Sequence, residues 1–411
     1  MPTLETSIQQ LVKVGLKTAR INDLLAGLPA LGRELALQVA ADLIEQLQEQ
    51  QFAAVQAGSQ EIVCEGCGVV HCGAGGTLLR RGSRKRKLKT SSGMLVFSLR
   101  QLTCGDCRRT WSPFPELLGL RPRQRVSEEL ERKLVEAVTE YSYAKTCAIG
   151  GAWLGETLSP KTLHRVVQQR GSQVRFTPAA GCRVALADGT KVPAGAGERG
   201  CEIRFTLQLL GREKHQGRTR VTRRIAGWSV GAGAWDRAIP AGIATEAIIT
   251  DREQGLAELM QKEHAGVFHG TCEWHLGHSL DHFLLLDRVK NQERKQHVAE
   301  LGRALWGPAA KRRATFQALR EAVKDFPQAS RMLRNVAAYV TCGYRPPERT
   351  TSVIEREMRE INRRTDVGAR WSVTGVDHLL RLRHSKRINP DDFERIWSTV
   401  QQPAFHTVPL A

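Results

Sequence analysis

Two Cys-x-x-Cys pairs constrain this chain more than any other feature. Cys64-Glu65-Gly66-Cys67-Gly68 and Cys104-Gly105-Asp106-Cys107 stand far apart in sequence. One tetrahedral ion taking four thiolates would force them together, and such a site is structural because it leaves no open coordination position. Between the pairs runs Arg80-Arg81-Gly82-Ser83-Arg84-Lys85-Arg86-Lys87-Leu88-Lys89, with four Arg and three Lys. Ser91-Ser92-Gly93 is a turn signal, and Gly93 to Arg100 reads as a strand delivering the second pair. The segment is therefore expected to be a zinc ribbon, a β-hairpin bracketed by two knuckles that Gly66 and Gly105 relax. Cys72, next to His71, is a reserve ligand. Two pairs without a thioredoxin-like βαβ context argue against a redox motif.

Charge bounds the partner. Sixty-one Lys and Arg against 42 Asp and Glu leave a formal net charge of +19 and a pI near 9.9. Such a surplus suits a polyanion, and nucleic acid is the first candidate through phosphate neutralisation and counterion release. A generically basic protein has the same charge, so this does not decide alone. A basic run of this density repels itself unless solvated or paired with phosphate, so either a solvated loop or DNA contact fits Arg80 to Lys89. No apolar run is long enough to span a bilayer, and MPTLETSIQQ lacks the pattern of a secretory signal. The expectation is a cytoplasmic, nucleoid-associated protein with no membrane partner.

At 411 residues, two to four folding units are expected. Residues 1–60 read as helix, with Leu35, Val39, Leu43 and Leu47 at helical spacing: an oligomerisation helix, a small DNA-end-binding bundle, or an amphipathic helix packed on the rest of the chain. Residues 61–115 form the zinc ribbon. In 116–178, Ser127 is an N-cap for Glu128 to Tyr143, Gly150-Gly151 is a break, and Ser159-Pro160 opens another helix. That pattern fits a helix-turn-helix-like DNA-binding region or a plain helical hairpin. From Cys182 the chain turns β-rich, and two apolar runs, Arg183 to Ala187 and Ala247 to Thr250, end in Asp188 and Asp251. Glu202 to Leu210 and Arg224 to Val230 are further strands. Val267 to His275 reads as a strand running into a loop, and about 278–345 as almost wholly helical. The fold class is α/β.

Phosphoryl transfer on DNA needs divalent ions held by a few carboxylates on rigid elements, and Asp at two neighbouring strand ends can supply them. An Asp before a turn is also an ordinary cap or turn former. The segment Arg349-Thr350-Thr351-Ser352-Val353-Ile354-Glu355-Arg356, continued through Glu360-Ile361-Asn362-Arg363-Arg364-Thr365-Asp366-Val367-Gly368, resembles the third-acid block of Mutator-like insertion-sequence transposases, with Ser352 where that family has Asn. Asp251-Arg252-Glu253-Gln254-Gly255 and Asp188-Gly189-Thr190 are similar to its second and first acid blocks, and Cys272-Glu273-Trp274-His275 to its Cys-x-x-His motif. The basic hairpin and Trp111-Ser112-Pro113-Phe114-Pro115 are similar to prokaryotic relatives carrying an N-terminal zinc ribbon.

The resemblance covers about residues 80 to 372. It implies a ribonuclease-H-like mixed sheet with catalytic Asp188, Asp251 and Glu355, two Mg²⁺ (or Mn²⁺) ions, and structural Zn²⁺ on Cys64, Cys67, Cys104 and Cys107. The catalytic domain would comprise 179–277 and 346–411, the latter with a C-terminal tail, interrupted by a helical insertion at 278–345. Cys272 and His275 would lie near the active site. DNA contacts are expected from Arg80, Arg81, Arg84, Lys85, Arg86, Lys87, Arg359, Arg363 and Arg364. Glu357 is the fallback acid should the register be wrong, and Glu348, Glu360 and Asp366 are expected in surface ion pairs. The activity implied is cleavage at transposon ends and joining of the freed 3′-hydroxyl to target DNA, by a dimer or larger homo-oligomer acting on terminal repeats and target duplex. A non-catalytic zinc-ribbon DNA-binding regulator, a domesticated transposase, carries the same charge and cysteines. A structure-specific nuclease would share the acids but not the joining step.

Overall fold

A computed structural model describes residues 21–73, 78–195, 200–231, 235–251, 254–368, 370–397 and 405–407. The helix expected over 1–20 and most of the tail after 397 lie outside the described residues. The chain divides into two compact units, residues 1–170 with 394–411, and residues 171–393.

In the first unit, α1 (Ile21–Gln56) is followed by short strands β1 (Gln60–Val63) and β2 (Val70–His71). The basic run is strand, not loop: β3 (Leu78–Thr90) pairs antiparallel with β4 (Gly93–Cys104), which pairs with β5 (Thr110–Trp111). The reason lies in β4, whose alternate residues Leu95, Phe97 and Leu99 are all buried. That apolar face packs with Phe52 and Val55 of α1, Leu88, Trp111 and Phe114, and the ladder holds the cations extended. Gly93 closes the hairpin at φ 130, backbone that only glycine adopts readily.

Three helices follow: α2 (Phe114–Leu117), α3 (Glu128–Val138) and α4 (Tyr143–Trp153). Ser127 caps α3 by accepting from the Leu130 N–H. The helix expected to reach Tyr143 ends at Val138, because Ser142 accepts from Lys145 N and caps a new helix. The expected break at Gly150-Gly151 falls inside α4. A Cβ at Gly150 would meet Leu134 at 2.7 Å, so glycine serves close helix packing there. Next comes α5 (Pro160–Gly171), whose Thr162 N–H bonds Ser159 Oγ.

The second unit is built on a five-stranded sheet. Strands β6 (Cys182–Val192), β7 (Cys201–His215) and β8 (Arg218–Val230) form an antiparallel meander. After α6 (Trp235–Ala238), β9 (Thr245–Thr250) pairs parallel to β6; after α7 (Gln254–Glu263), β10 (Phe268–Thr271) pairs parallel to β9. The order across the sheet is β10-β9-β6-β7-β8. Both faces are covered, as mixed sheets with parallel strands require. Ala185, Ala187 and Ile248 face Trp235, Leu256 and Met260. Val184, Leu186, Phe205 and Ile249 face Ile354, Met358, Ile361 and Leu380, which belong to α12 (Ser352–Thr365) and α13 (Val373–Ile388). Each such fully buried side chain contributes roughly 1.5–3 kcal/mol.

Between β10 and α12 stand four helices, α8 (Glu273–Leu286), α9 (Asn291–Trp306), α10 (Ala309–Ala322) and α11 (Pro327–Thr341). They close around their own core of Leu280, Leu284, Leu301, Phe316, Leu319 and Leu333. The strand ending at Thr271 runs straight into α8 rather than into a loop, because Cys272 is the N-cap residue.

Candidate functional site

Alternation along β6 puts Asp188 on the face of Val184 and Leu186. In the β6–β9 ladder Leu186 stands opposite Ile249, a displacement of 63 residues that also separates Asp188 from Asp251. The parallel pairing therefore carries the two acids out at one level on neighbouring strands, on the face covered by α12. Asp188 lies within its strand and is buried, whereas Asp251 follows the last residue of β9 and is exposed. Glu355 sits in the first turn of α12, half-buried, above the apolar contacts of Ile354 and Met358.

The three carboxylates act on one another. Burial first, with the charges of Asp251 and Glu355, raises the Asp188 carboxyl to about 7, against a hydrogen bond from Gly189 N–H and the charge of His275. That bond is 2.7 Å long. Three acids that repel each other around a buried carboxyl form a donor set whose cost a divalent cation would relieve. Asp188 comes from within β6, Asp251 from the residue after β9 and Glu355 from α12; among the described residues their ligand atoms do not all lie within 4.8 Å of one another.

A second cluster abuts the third acid. Cys272, His275 and Glu355 bring ligand atoms within 4.8 Å of one another, although the Cys-x-x-His motif alone offers only two. Cys272 is anchored by its N–H to Thr250 O, 2.7 Å. At the centre is Thr351, fully buried, which donates from Oγ1 to Glu355 Oε1 at 2.8 Å and lies 3.2 Å from Cys272 Sγ and 3.4 Å from His275 Nδ1. Burial raises the Cys272 thiol, but hydrogen bonds with His275 and Thr351 outweigh it and hold the thiol below its ordinary range. The hydrogen bond to Cys272 and the charges of Glu355 and Asp188 raise His275 against its burial. Sequence reasoning missed Thr351 as a functional residue; its one signal was the Thr-Thr pair before Glu355.

Glu357, the fallback acid, is structural. It is fully buried and paired with Arg223, with Arg387 at 3.7 Å. Glu348 pairs with Arg212, and Glu360 with Arg363 at 2.6 Å and Arg383 at 3.3 Å. Of the basic residues expected to touch DNA, Arg81, Arg84, Lys85, Lys87, Arg359 and Arg363 are exposed. Arg80 pairs with Glu49 at 2.9 Å and lies over the Phe52 ring. Arg86 spends its guanidinium on the carbonyls of Arg121 and Gln124. Arg364 is the correction: it is 6% exposed and stacks on Trp371, because its position on α12 turns it toward the sheet.

In the first unit the four cysteines converge. Cys64 Sγ lies 3.6 Å from Cys107 Sγ, and Cys67 Sγ 3.7 Å from Cys104 Sγ. Tetrahedral Zn–S bonds of about 2.3 Å place sulfurs about 3.8 Å apart, so the spacing suits a structural zinc ion. Burial raises Cys64, but the N–H groups of Cys67 and Gly66 and the Cys107 thiol outweigh it and bring it down to about 7. At Cys67 a hydrogen bond from Val69 N–H lowers the thiol, but burial and the other three sulfurs carry it up to about 12. A bound dication would favour the thiolate form of both. The left-handed turns fall one residue after each pair, at Gly68 (φ 75) and Arg108 (φ 62), not at Gly66 and Gly105. Gly66 instead allows close approach, since a Cβ there would meet Arg109 at 2.7 Å. Cys72 is outside the cluster, and its neighbour His71 groups with Cys104 and Asp106.

No protein-family model matches this chain, and no curated protein matches it either. No helix among the described residues is long and apolar enough to cross a membrane.

Proposed function

We propose that this chain is a DNA transposase of the Mutator-like insertion-sequence type, with a ribonuclease-H-like catalytic sheet interrupted by the bundle α8 to α11 and preceded by a zinc ribbon. The observation that carries the reading is the convergence of Asp188, Asp251 and Glu355, from segments 63 and 104 residues apart, closely enough to repel Asp188's proton loss.

Two Mg²⁺ or Mn²⁺ ions about 3.5–4 Å apart would, when bound, neutralise the attacking and leaving oxygens of an in-line displacement. Asp188 within β6 and Asp251 after β9 would hold both ions, and Glu355 on α12 would complete the donor set. Thr351 orients Glu355 through its hydroxyl. The exposed Arg359 and Arg363, on the same helix, are positioned to meet backbone phosphates. Water attacks a phosphodiester at the element's end and frees a 3′-hydroxyl, which then attacks target DNA in the same site. No covalent enzyme intermediate is required. The thiol site would keep the basic hairpin folded against duplex DNA, and two ends require a dimer or larger assembly.

The test is a nicking and strand-transfer assay with Mg²⁺ on the DNA flanking the gene. Asp188→Ala, Asp251→Ala and Glu355→Ala should each abolish both steps. Binding without metal-dependent cleavage would favour the non-catalytic regulator; cleavage without joining would favour a nuclease.

A further inference from the structure

In the first unit a groove of about 880 Å³ runs along β3 toward the segment 123–125. Its rim carries Arg84, Lys85, Lys87, Arg123 and Arg125, and among the described residues no acidic side chain lines it. Among the described residues these five cations make no ion pair. The wall is built from the backbone: Lys89 N–H bonds Arg125 O at 2.9 Å and Ser127 N–H bonds Lys89 O at 2.8 Å, so residues 125–127 extend along the free edge of β3. Two further cations hold this frame. Arg86 ties down the carbonyls of Arg121 and Gln124, and Lys89 pairs with Glu156 at 2.5 Å. Arg123 adopts φ 58 within the wall, left-handed backbone that a non-glycine residue rarely takes.

We infer that this groove is a sequence-independent site for the sugar-phosphate backbone of duplex DNA. Five uncompensated cations in one concavity repel each other until an anion enters. A small anion would call for donors converging on a point, whereas these are strung along a line. Lys85 and Lys87, two residues apart on one face, lie about 6.6 Å from each other, close to twice the ~3.4 Å axial spacing of charge along one DNA strand. Single-stranded nucleic acid is held largely by bases stacking on exposed aromatics, and among the described residues the one aromatic lining this groove, Trp111, is buried. The inference takes only the identity of the polymer from the proposed function; it is independent of the acidic site. It also adds Arg123 and Arg125 to the contacts, and makes Arg86 a strut.

The experiment uses the full chain and a fluorescein-labelled duplex of random sequence, about 30 base pairs, with anisotropy read across a salt series. Arg123→Ala/Arg125→Ala and Lys85→Ala/Lys87→Ala should each weaken binding tenfold or more. Each pair should also reduce the slope of log K against log salt by about 1.8, two phosphates at about 0.9 each. Lys311→Ala/Arg313→Ala, exposed on α10, should leave both unchanged. Binding is read without added divalent metal and nicking in a separate assay, so a failed catalytic reading and a failed groove are told apart. Zinc content and melting temperature establish that the variants are folded. Binding within twofold of the parent with an unaltered slope would overturn the inference. So would an equal loss in the α10 pair, or tighter binding of single-stranded DNA or RNA through the same residues.

Discussion

Glu355 and Glu357 lie two residues apart on one helix, and the proposed function gives them opposite tasks. Replacing each in turn by Gln separates those tasks. Glu357 is fully buried against the partly buried Arg223 and Arg387, so neutralising it leaves the Arg223 guanidinium without its carboxylate. Breaking such a pair from one side costs about 3–5 kcal/mol. For a unit of this size, 1 kcal/mol moves the melting midpoint by roughly 2–4 °C. Glu357→Gln should therefore lower the melting temperature by about 6–20 °C, by differential scanning calorimetry, and keep metal-dependent nicking below that midpoint. Glu355 is half-buried and repels Asp188, so Glu355→Gln should leave stability level or slightly raised while nicking is lost. A Glu357→Gln protein that melts like the parent but cannot nick, beside an active Glu355→Gln, would refute the register of α12 and with it the assignment of the third acid.

Thr351→Val keeps shape but removes the hydroxyl that Glu355 accepts from; a hydrogen bond to a charged group is worth about 1.5–3 kcal/mol, so nicking should fall about 10–150-fold, with Thr351→Ser restoring most of it in the same assay. Elemental analysis should find one zinc per chain, abolished in Cys67→Ser/Cys104→Ser, with loss of the near-ultraviolet dichroism of buried Trp111. His384 is fully buried against Trp228 and Phe205, and burial first, then the charges of Arg387, Arg383 and Arg223, depress it to about 3. Its folded value lies below its unfolded one near 6.5, so its contribution is intact above about pH 6.5 and is lost as pH falls toward 3, by up to about 1.4 kcal/mol per pH unit. In denaturant titrations His384→Phe should flatten that decline relative to the parent; an unchanged slope would show that His384 does not control it.

Some of this protein was decided by local sequence. The two cysteine pairs, the turn at Ser91-Ser92-Gly93, and the apolar runs ending in Asp188 and Asp251 carry their meaning in residue type and spacing, because thiolate coordination, tight turns and strand periodicity are short-range physics. Ser127 as a cap is equally local. Other features needed the folded chain. That β9 pairs beside β6 in the register that levels Asp188 with Asp251 depends on which strands become neighbours, a choice made by burial across the whole sheet. Thr351 became a hub only once Cys272, His275 and Glu355 met around it. Arg364 and Glu357 look like surface residues in the sequence, yet packing turns both inward. Gly150, read as a break, proved to be a contact with α3. Residue type sets what chemistry a side chain can perform; the long-range packing of the chain decides which of them stand together, and in what environment.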